Sequence, residues 1–208
     1  TAEAQRMSQA RFRTALAGFI HEHARPADKF SHQPRLYHLA TQVGTGLDYD
    51  DEVLYAAAWM HDLGVFVGHR PEEPTALAAW DCVAYAMAQA PAILEQLGFP
   101  KKKIPAVVQA IRTHQPSAEP ATVEGLMLRD ADILEQLGAV GILRMVSKVG
   151  RDTRYATFGD VLRVLQRSLE TLPGQLKLPA ARHLAEPRLR ILHEFLKAAV
   201  AEADGEPL

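Results

Sequence analysis

The sequence predicts an all-α fold, a bundle of helices, and three observations carry that expectation. Apolar residues recur at spacings of three and four almost throughout the chain. No convincing alternating strand pattern appears, nor any internal repeat or low-complexity tract. Residues that start and stop helices punctuate the apolar stripes at plausible intervals. Phe12, Leu16, Phe19 and Ile20 form the first stripe. Leu36, Leu39, Ala40 and Val43 form the second, which ends near Gly44 and Gly46. Asp51 is placed to cap a third helix holding Val53, Leu54, Ala57 and Met60, and Gly64 stops it. Thr75, after Pro74, opens a fourth with Leu77, Trp80, Val83, Ala84 and Met87. Ile104, Val107, Val108 and Ile111 make the next, halted before Pro116. Thr122 starts another through Leu126, Ile133, Leu134 and Leu137, and after Gly138 come Ile142, Leu143, Val146 and Val149. Two helices close the chain: Val161 to Leu172, ended by Pro173-Gly174, and a long one with Leu189, Leu192, Leu196 and Val200.

A chain of 208 residues is long enough for one helical domain with a real core. The expected organisation is a single domain over 1–208, with a core at roughly 30–150 and C-terminal helices at roughly 158–202 packed on it. Hydrophobic residues make up 48% and charged residues 23%, the composition of an ordinary globular protein. A formal charge of −2 gives no general affinity for polyanions, so nucleic acid is not expected as a partner. Cys82 is the sole cysteine and forms no intrachain disulfide. No apolar run approaches the roughly 20 residues of a membrane span, and no membrane association is expected. The opening TAEAQRMSQA carries no charged-then-apolar signal pattern, and a cytoplasmic protein is the expectation.

The placement of the nine histidines is more informative than their number. His61 and Asp62 are adjacent at a helix end in WMHDLG; His38 lies one helix earlier in RLYHLA; His114 ends a later helix in AIRTHQP; Asp132 lies in LRDADILEQLG. Imidazole nitrogen with carboxylate oxygen, and no thiolate, suits a divalent Mn, Fe, Co, Ni, Zn or Mg ion. Two histidines and two carboxylates leave an octahedral ion room for water and a phosphate oxygen, the requirement of metal-assisted phosphate hydrolysis. Standing by itself, a His-Asp pair before Gly reads as a helix C-terminus with a favourable imidazole and a solvated carboxylate. At about 100° per residue, however, His61 falls at the edge of the stripe of Val53, Leu54 and Ala57, so it points partly inward. A half-buried imidazole needs a partner, either in the core or on a metal.

A His, then His-Asp, then a distant Asp within Asp-Ala-Asp-x-Leu resembles the HD superfamily of metal-dependent phosphohydrolases. The stretch GFPKKKIPAVVQAIRTHQP and the run DADILEQLGAVGILR are similar to one branch of it, the small stand-alone bacterial HD hydrolases. The resemblance covers roughly residues 30 to 200, and it implies an HD-type helical bundle. It implies metal ligands at His38, His61, Asp62 and Asp132, with His114 facing the site for a phosphate or a second metal. The implied substrate is a small phosphorylated metabolite of nucleotide type. The chain departs from the family pattern in two places. Relatives often have an acidic residue shortly before the first His and Arg-Val after it, whereas Arg35 precedes His38 and Ala40-Thr41 follow. Many carry a Lys soon after the His-Asp pair, where this chain reads LGVFVGHRP.

Within DADILEQLG the two aspartates lie about 200° apart on a helix. Amphipathicity puts Asp130 near the middle of the stripe of Leu126, Leu134 and Leu137 and Asp132 on the far side. His38 shows the same opposition to its own stripe, and the resemblance selects Asp132 as the ligand. Around these residues, His69 and Arg70 are read as a phosphate contact, an extra ligand or a solvated loop pair. Arg144 is read as an anion-binding group or a structural ion pair, and Arg35 as a residue of the mouth or of the surface. Lys101-Lys102-Lys103 is read as a solvated first turn, and His21, His23, His32, His183 and His193 as surface or core histidines. The leading function is therefore a phosphohydrolase, catalytic through Asp62, His114, Arg144 and His69. The alternatives are a diiron HD-type oxygenase, for which His69 or His114 would make up the ligand number, and a metal-containing ligand sensor.

Overall fold

The computed structural model describes residues 1–208, apart from the side chain of Asp28. Among the described residues there are ten α-helices and no strand. They are α1 (Ala2–His23), α2 (His32–Val43), α3 (Asp51–Met60), α4 (Pro74–Ala78), α5 (Cys82–Gln96), α6 (Ile104–Arg112), α7 (Val123–Glu135), α8 (Gly138–Val146), α9 (Phe158–Thr171) and α10 (Pro179–Ala203). The chain divides into two compact units, Thr1–Arg129 and Asp130–Leu208, with the division falling inside α7.

In the first unit α3 is the central element. Every residue from Val53 to Met60 is buried, as expected of a helix that is apolar all round. Ala56, Ala57 and Ala58 let neighbours come close, and α3 packs against α1, α2, α5 and α6. Its first turn is capped by Asp50, whose carboxylate accepts from the amides of Glu52 and Val53. That cap lies one residue before the expected Asp51. Asp51 serves elsewhere: it binds Arg13 at 2.7 Å and accepts the Tyr37 hydroxyl at 2.6 Å. Arg13 also lies over the Tyr55 ring, 4.4 Å from its centroid, so one guanidinium ties α1 to α2 and α3. Burial, then the bond to Asp51, pushes the Tyr37 phenol up to about 12.

The single helix expected from Thr75 onward is two helices, α4 and α5. Glu73 caps α4 and Asp81 caps α5, each through its carboxylate on backbone amides, and the second cap restarts the chain in a new direction. The start of α5 lies against the turn that follows α3. A Cβ on Gly64 would stand 2.5 Å from the Cys82 carbonyl oxygen and 2.8 Å from its Cα. Both are backbone atoms, which cannot rotate away. Gly64→Ala is expected to cost about 1–3 kcal/mol and to lower the melting temperature by several degrees at about 2–4 °C per kcal/mol. A melting curve unchanged from wild type would contradict this close approach.

In the second unit α10 packs on α8 and α9, and α8 on α9. Thr157 and Asp160 form a capping box at the start of α9, which buries Val161 and Leu165. Arg188 on α10 donates to the Leu134 carbonyl at the end of α7. Lys177 and Leu178, leading into α10, donate their amides to the carboxylate of Asp130, which is fully buried.

Candidate metal centre

The site begins where α3 ends. The His61 amide still donates to the Ala57 carbonyl at 3.0 Å, so the residue takes its direction from the helix. Its side chain is 1% exposed. The ring donates Nδ1–H to the Ala58 carbonyl at 2.7 Å, which leaves Nε2 as the nitrogen carrying the lone pair. His114 follows the end of α6 and repeats the arrangement: it is buried, and its Nδ1–H donates to the Ile111 carbonyl at 2.7 Å. Its ring meets that of His61 edge-on, with centroids 4.8 Å apart. An outer hydrogen bond that fixes tautomer and ring plane is the usual support of a metal-bound histidine. Both rings also stand at helix C-termini, whose partial negative charge favours a cation.

His61, Asp62 and His114 each offer a ligand atom within 4.8 Å of the others. A further imidazole joins them, and it is His32. His32 Nε2 lies 3.3 Å from His61 Nε2 and 3.6 Å from a carboxylate oxygen of Asp62, whose other oxygen is 3.3 Å from His61 Nε2. Two imidazole nitrogens bound to one tetrahedral ion at about 2.0–2.1 Å each stand about 3.3 Å apart. The donor types and this spacing both fit a divalent ion.

His38 is not brought to this cluster by the structure. It is exposed on α2, where its contact is with Gln42, one turn on, at 3.4 Å. His32, in the first turn of α2, is 3% exposed. The signal for it was present in the sequence. His32 precedes Leu36, Leu39 and Val43 by four, seven and eleven residues, the middle of the buried stripe, whereas His38 is about 100° or more off that stripe. With His32 as the first histidine, Asp28 precedes it and Arg35-Leu36 follow, closer to the family pattern than the surroundings of His38.

The remaining candidates are placed as follows. Asp132 lies on α7 and is 9% exposed. Arg144 donates to the Glu135 carbonyl at 3.0 Å and stands 3.8 Å from its carboxylate. His69 is not brought to the cluster: both of its ring nitrogens are engaged, by His23 and by Tyr85, at 2.7 Å each. Arg35 and Arg70 are half-buried. Lys103, from the lysine run, binds Asp50 and Glu52 at the start of α3. Two cavities of the first unit, of about 310 and 550 Å³, share Gln9, Arg13, Glu52 and Lys103 in their walls and are not lined by the histidine cluster.

The scaffold is all-helical among the described residues, and its buried imidazoles and the neighbouring carboxylate are spaced so that they could hold a metal ion. Residues 30–137 match the HD domain family, and the chain belongs to it. Solved structures share the fold. The YpgQ protein of Bacillus subtilis superposes with a TM-score of 0.70 at 21% identity, covering 95% of this chain and 98% of its own. An HD-superfamily hydrolase of Bacillus thuringiensis gives 0.66 at 21%, covering 96% and 100%. A predicted HD-superfamily hydrolase from an uncultured Thermotogales bacterium gives 0.56 at 25%, covering 95% and 91%. The Bacillus subtilis protein has also been solved in complex with ADP. Comparison with curated proteins gave no match.

Proposed function

We propose that this protein is a metal-dependent phosphohydrolase acting on a phosphoester or phosphoanhydride of a nucleotide-like small molecule. The observation that carries the reading is the convergence of the buried His32, His61 and His114 with the half-buried Asp62, the His61 and His114 rings being oriented by backbone carbonyls. In this reading His32, His61 and Asp62 hold the ion. Asp132 supplies a further carboxylate, on the strength of its place in DADILEQLG and of the separate engagement of Asp130. A divalent ion supplies an acidified water and neutralises charge developing on the phosphoryl group. His114 keeps Nδ1–H on the Ile111 carbonyl and presents Nε2, which takes a proton from the nucleophile or, once protonated, donates to a phosphate oxygen. The nucleotide part is supported by the ADP complex of the Bacillus subtilis protein. A mononuclear centre is favoured over a diiron one because His69 is tied to His23 and Tyr85.

The test is a phosphatase and pyrophosphatase screen over nucleotides and sugar phosphates, run in parallel with Mn, Co, Ni and Mg. Absence of phosphate release in every arm sinks the reading. The ion is expected to support the fold as well. Metal at about 100 times its dissociation constant adds roughly 2.7 kcal/mol, or about 5–10 °C at about 2–4 °C per kcal/mol. A chelated sample that melts with the metal-loaded one would count against a metal held by these side chains.

A further inference from the structure

A second group of titratable side chains stands together outside this cluster. His23, the last residue of α1, places Nδ1 at 2.7 Å from His69 Nε2, and His69 Nδ1 lies 2.7 Å from the Tyr85 hydroxyl on α5. Phe19 stacks on the His23 ring with centroids 4.1 Å apart, which fixes its plane. The ring nitrogens of His23 and His69 and those of His32 and His61 stand at different spacings. The nitrogens of His32 and His61, at 3.3 Å, stand as two ligands of one ion stand. Those of His23 and His69 are at the distance of a hydrogen bond, so what they share is a proton.

The chain of three grips the segment that continues from the His-Asp pair. Backbone amides tie Val65 to Asp62, Phe66 to Leu63, and both His69 and Arg70 to Phe66. Phe66 is buried and Trp80 donates to the Gly64 carbonyl, so the near half of the segment is fixed by the core. Its far half has less. Val67 is 37% exposed; its amide donates to the Arg25 carbonyl, it pairs with Arg70 in an isolated bridge, and the His69 ring adds the tie to α1 and α5.

We propose that His23, His69 and Tyr85 form a one-proton clamp, in which His69 is a positioning residue that holds the Phe66–Arg70 segment against α1 and α5 and releases it when both histidines are protonated. With Nδ1–H donated to the Tyr85 oxygen, His69 keeps a lone pair on Nε2 for the Nδ1–H of His23. A first added proton enters at His23 Nε2 and breaks neither contact, and the C-terminus of α1 favours that charge. A second must enter at His69 Nε2, where it sets N–H against N–H and one imidazolium against another.

The surroundings agree with that order. Burial, then the charge of His23, holds His69 below the ordinary imidazole value of 6.5. From α1, His21 lies edge-on to Phe30, and just beyond the helix Arg25 is turned onto the carbonyls of His21 and Ala24. From α5, Asp81 caps the Ala84 amide. The segment itself continues through Arg70 and Glu72 to Glu73, which binds the amides of Thr75 and Ala76. A histidine depressed in the folded state binds more protons when unfolded, so its contribution to stability is full above about 6.5 and falls as pH drops through its folded value.

The experiment follows the ring protons of His23 and His69 by NMR, together with hydrogen exchange at the Val67 and Arg70 amides, from about pH 8 to about pH 4. It needs no turnover, so its failure is separate from failure of the phosphohydrolase reading. In the wild-type chain protection at Val67 and Arg70 is expected to fall about tenfold or more through the step in which His69 takes its proton, a step held below 6.5. His23→Gln keeps a hydrogen-bonding group and removes the neighbouring charge; the His69 midpoint should then rise while protection near pH 8 is kept. Independent titration of the two rings, or protection unchanged through the His69 step, overturns the clamp, and both are read on the wild-type chain alone.

Discussion

Replacing His32 with alanine is expected to release the divalent ion and to abolish turnover, whereas His38→Ala should leave both within about twofold of wild type. His32 is 3% exposed and faces His61 and Asp62 at 3.3 and 3.6 Å. In the proposed centre, removing it deletes one of the bonds to the metal. The loss of affinity should exceed the about 10–100-fold that accompanies loss of an outer hydrogen bond. His38 offers no comparable contact, because its ring is exposed and meets Gln42 on its own helix. Surface changes of that kind usually stay within about 0.5 kcal/mol. The measurement is metal content after dialysis at limiting free metal, with a melting curve of each metal-free variant to separate lost binding from lost fold. A His38 variant that comes out stripped of metal, beside a His32 variant that retains it, would reverse the assignment made from the geometry. His114→Ala should behave differently from both, keeping most of the metal and losing about 10²-fold in turnover, the scale of one transition-state contact.

Much of the helical order is legible in the sequence because each helix buries a stripe with the 3.6-residue period. Phe12, Leu16 and Ile20 in α1, and Val161 and Leu165 in α9, are cases in which apolar spacing and burial coincide. The break between α4 and α5 is not legible in the periodicity, since the apolar residues on either side of Asp81 continue one period and only the cap shows that the chain turns. His61, Asp62 and His114 are legible as a group because all end or follow helices, and helix ends are where side chains from separate elements meet. His32 lies on the buried stripe of Leu36, Leu39 and Val43, whereas the resemblance places the first histidine at His38 in RLYHLA. The clamp of His23, His69 and Tyr85 has no local signature. Its members lie 46 and 16 residues apart, and only the packing of α1, the segment after α3 and α5 brings them together.

Asp130 and Asp132 should fail in opposite ways, the first in the fold and the second in the metal. Amphipathicity reads Asp130 as the buried carboxylate, and it is fully buried, accepting the amides of Lys177 and Leu178 at 3.0 and 2.7 Å. That pairing joins α7 to the start of α10 inside the second unit. Asp130→Ala leaves the buried Leu178 amide without its acceptor, at a cost of about 1–3 kcal/mol, or a melting temperature lower by roughly 2–12 °C in a chain of this length, while the part-buried Lys177 amide turns to water. Asp130→Asn keeps one oxygen and should lose less, with metal content near that of wild type in the folded fraction. Asp132 is two residues on, about 200° around the helix, so it cannot share the role of Asp130. Its carboxylate is the one the proposed reaction assigns to the ion, and Asp132→Asn should therefore lose metal and turnover while the metal-free protein melts as the metal-free wild type does. The decisive pair of measurements is metal content and metal-free melting temperature for both Asn variants. Full metal in Asp132→Asn, with loss in Asp130→Asn at an unchanged melting temperature, would mean that the ion takes the buried carboxylate and that the amides of Lys177 and Leu178 merely orient it.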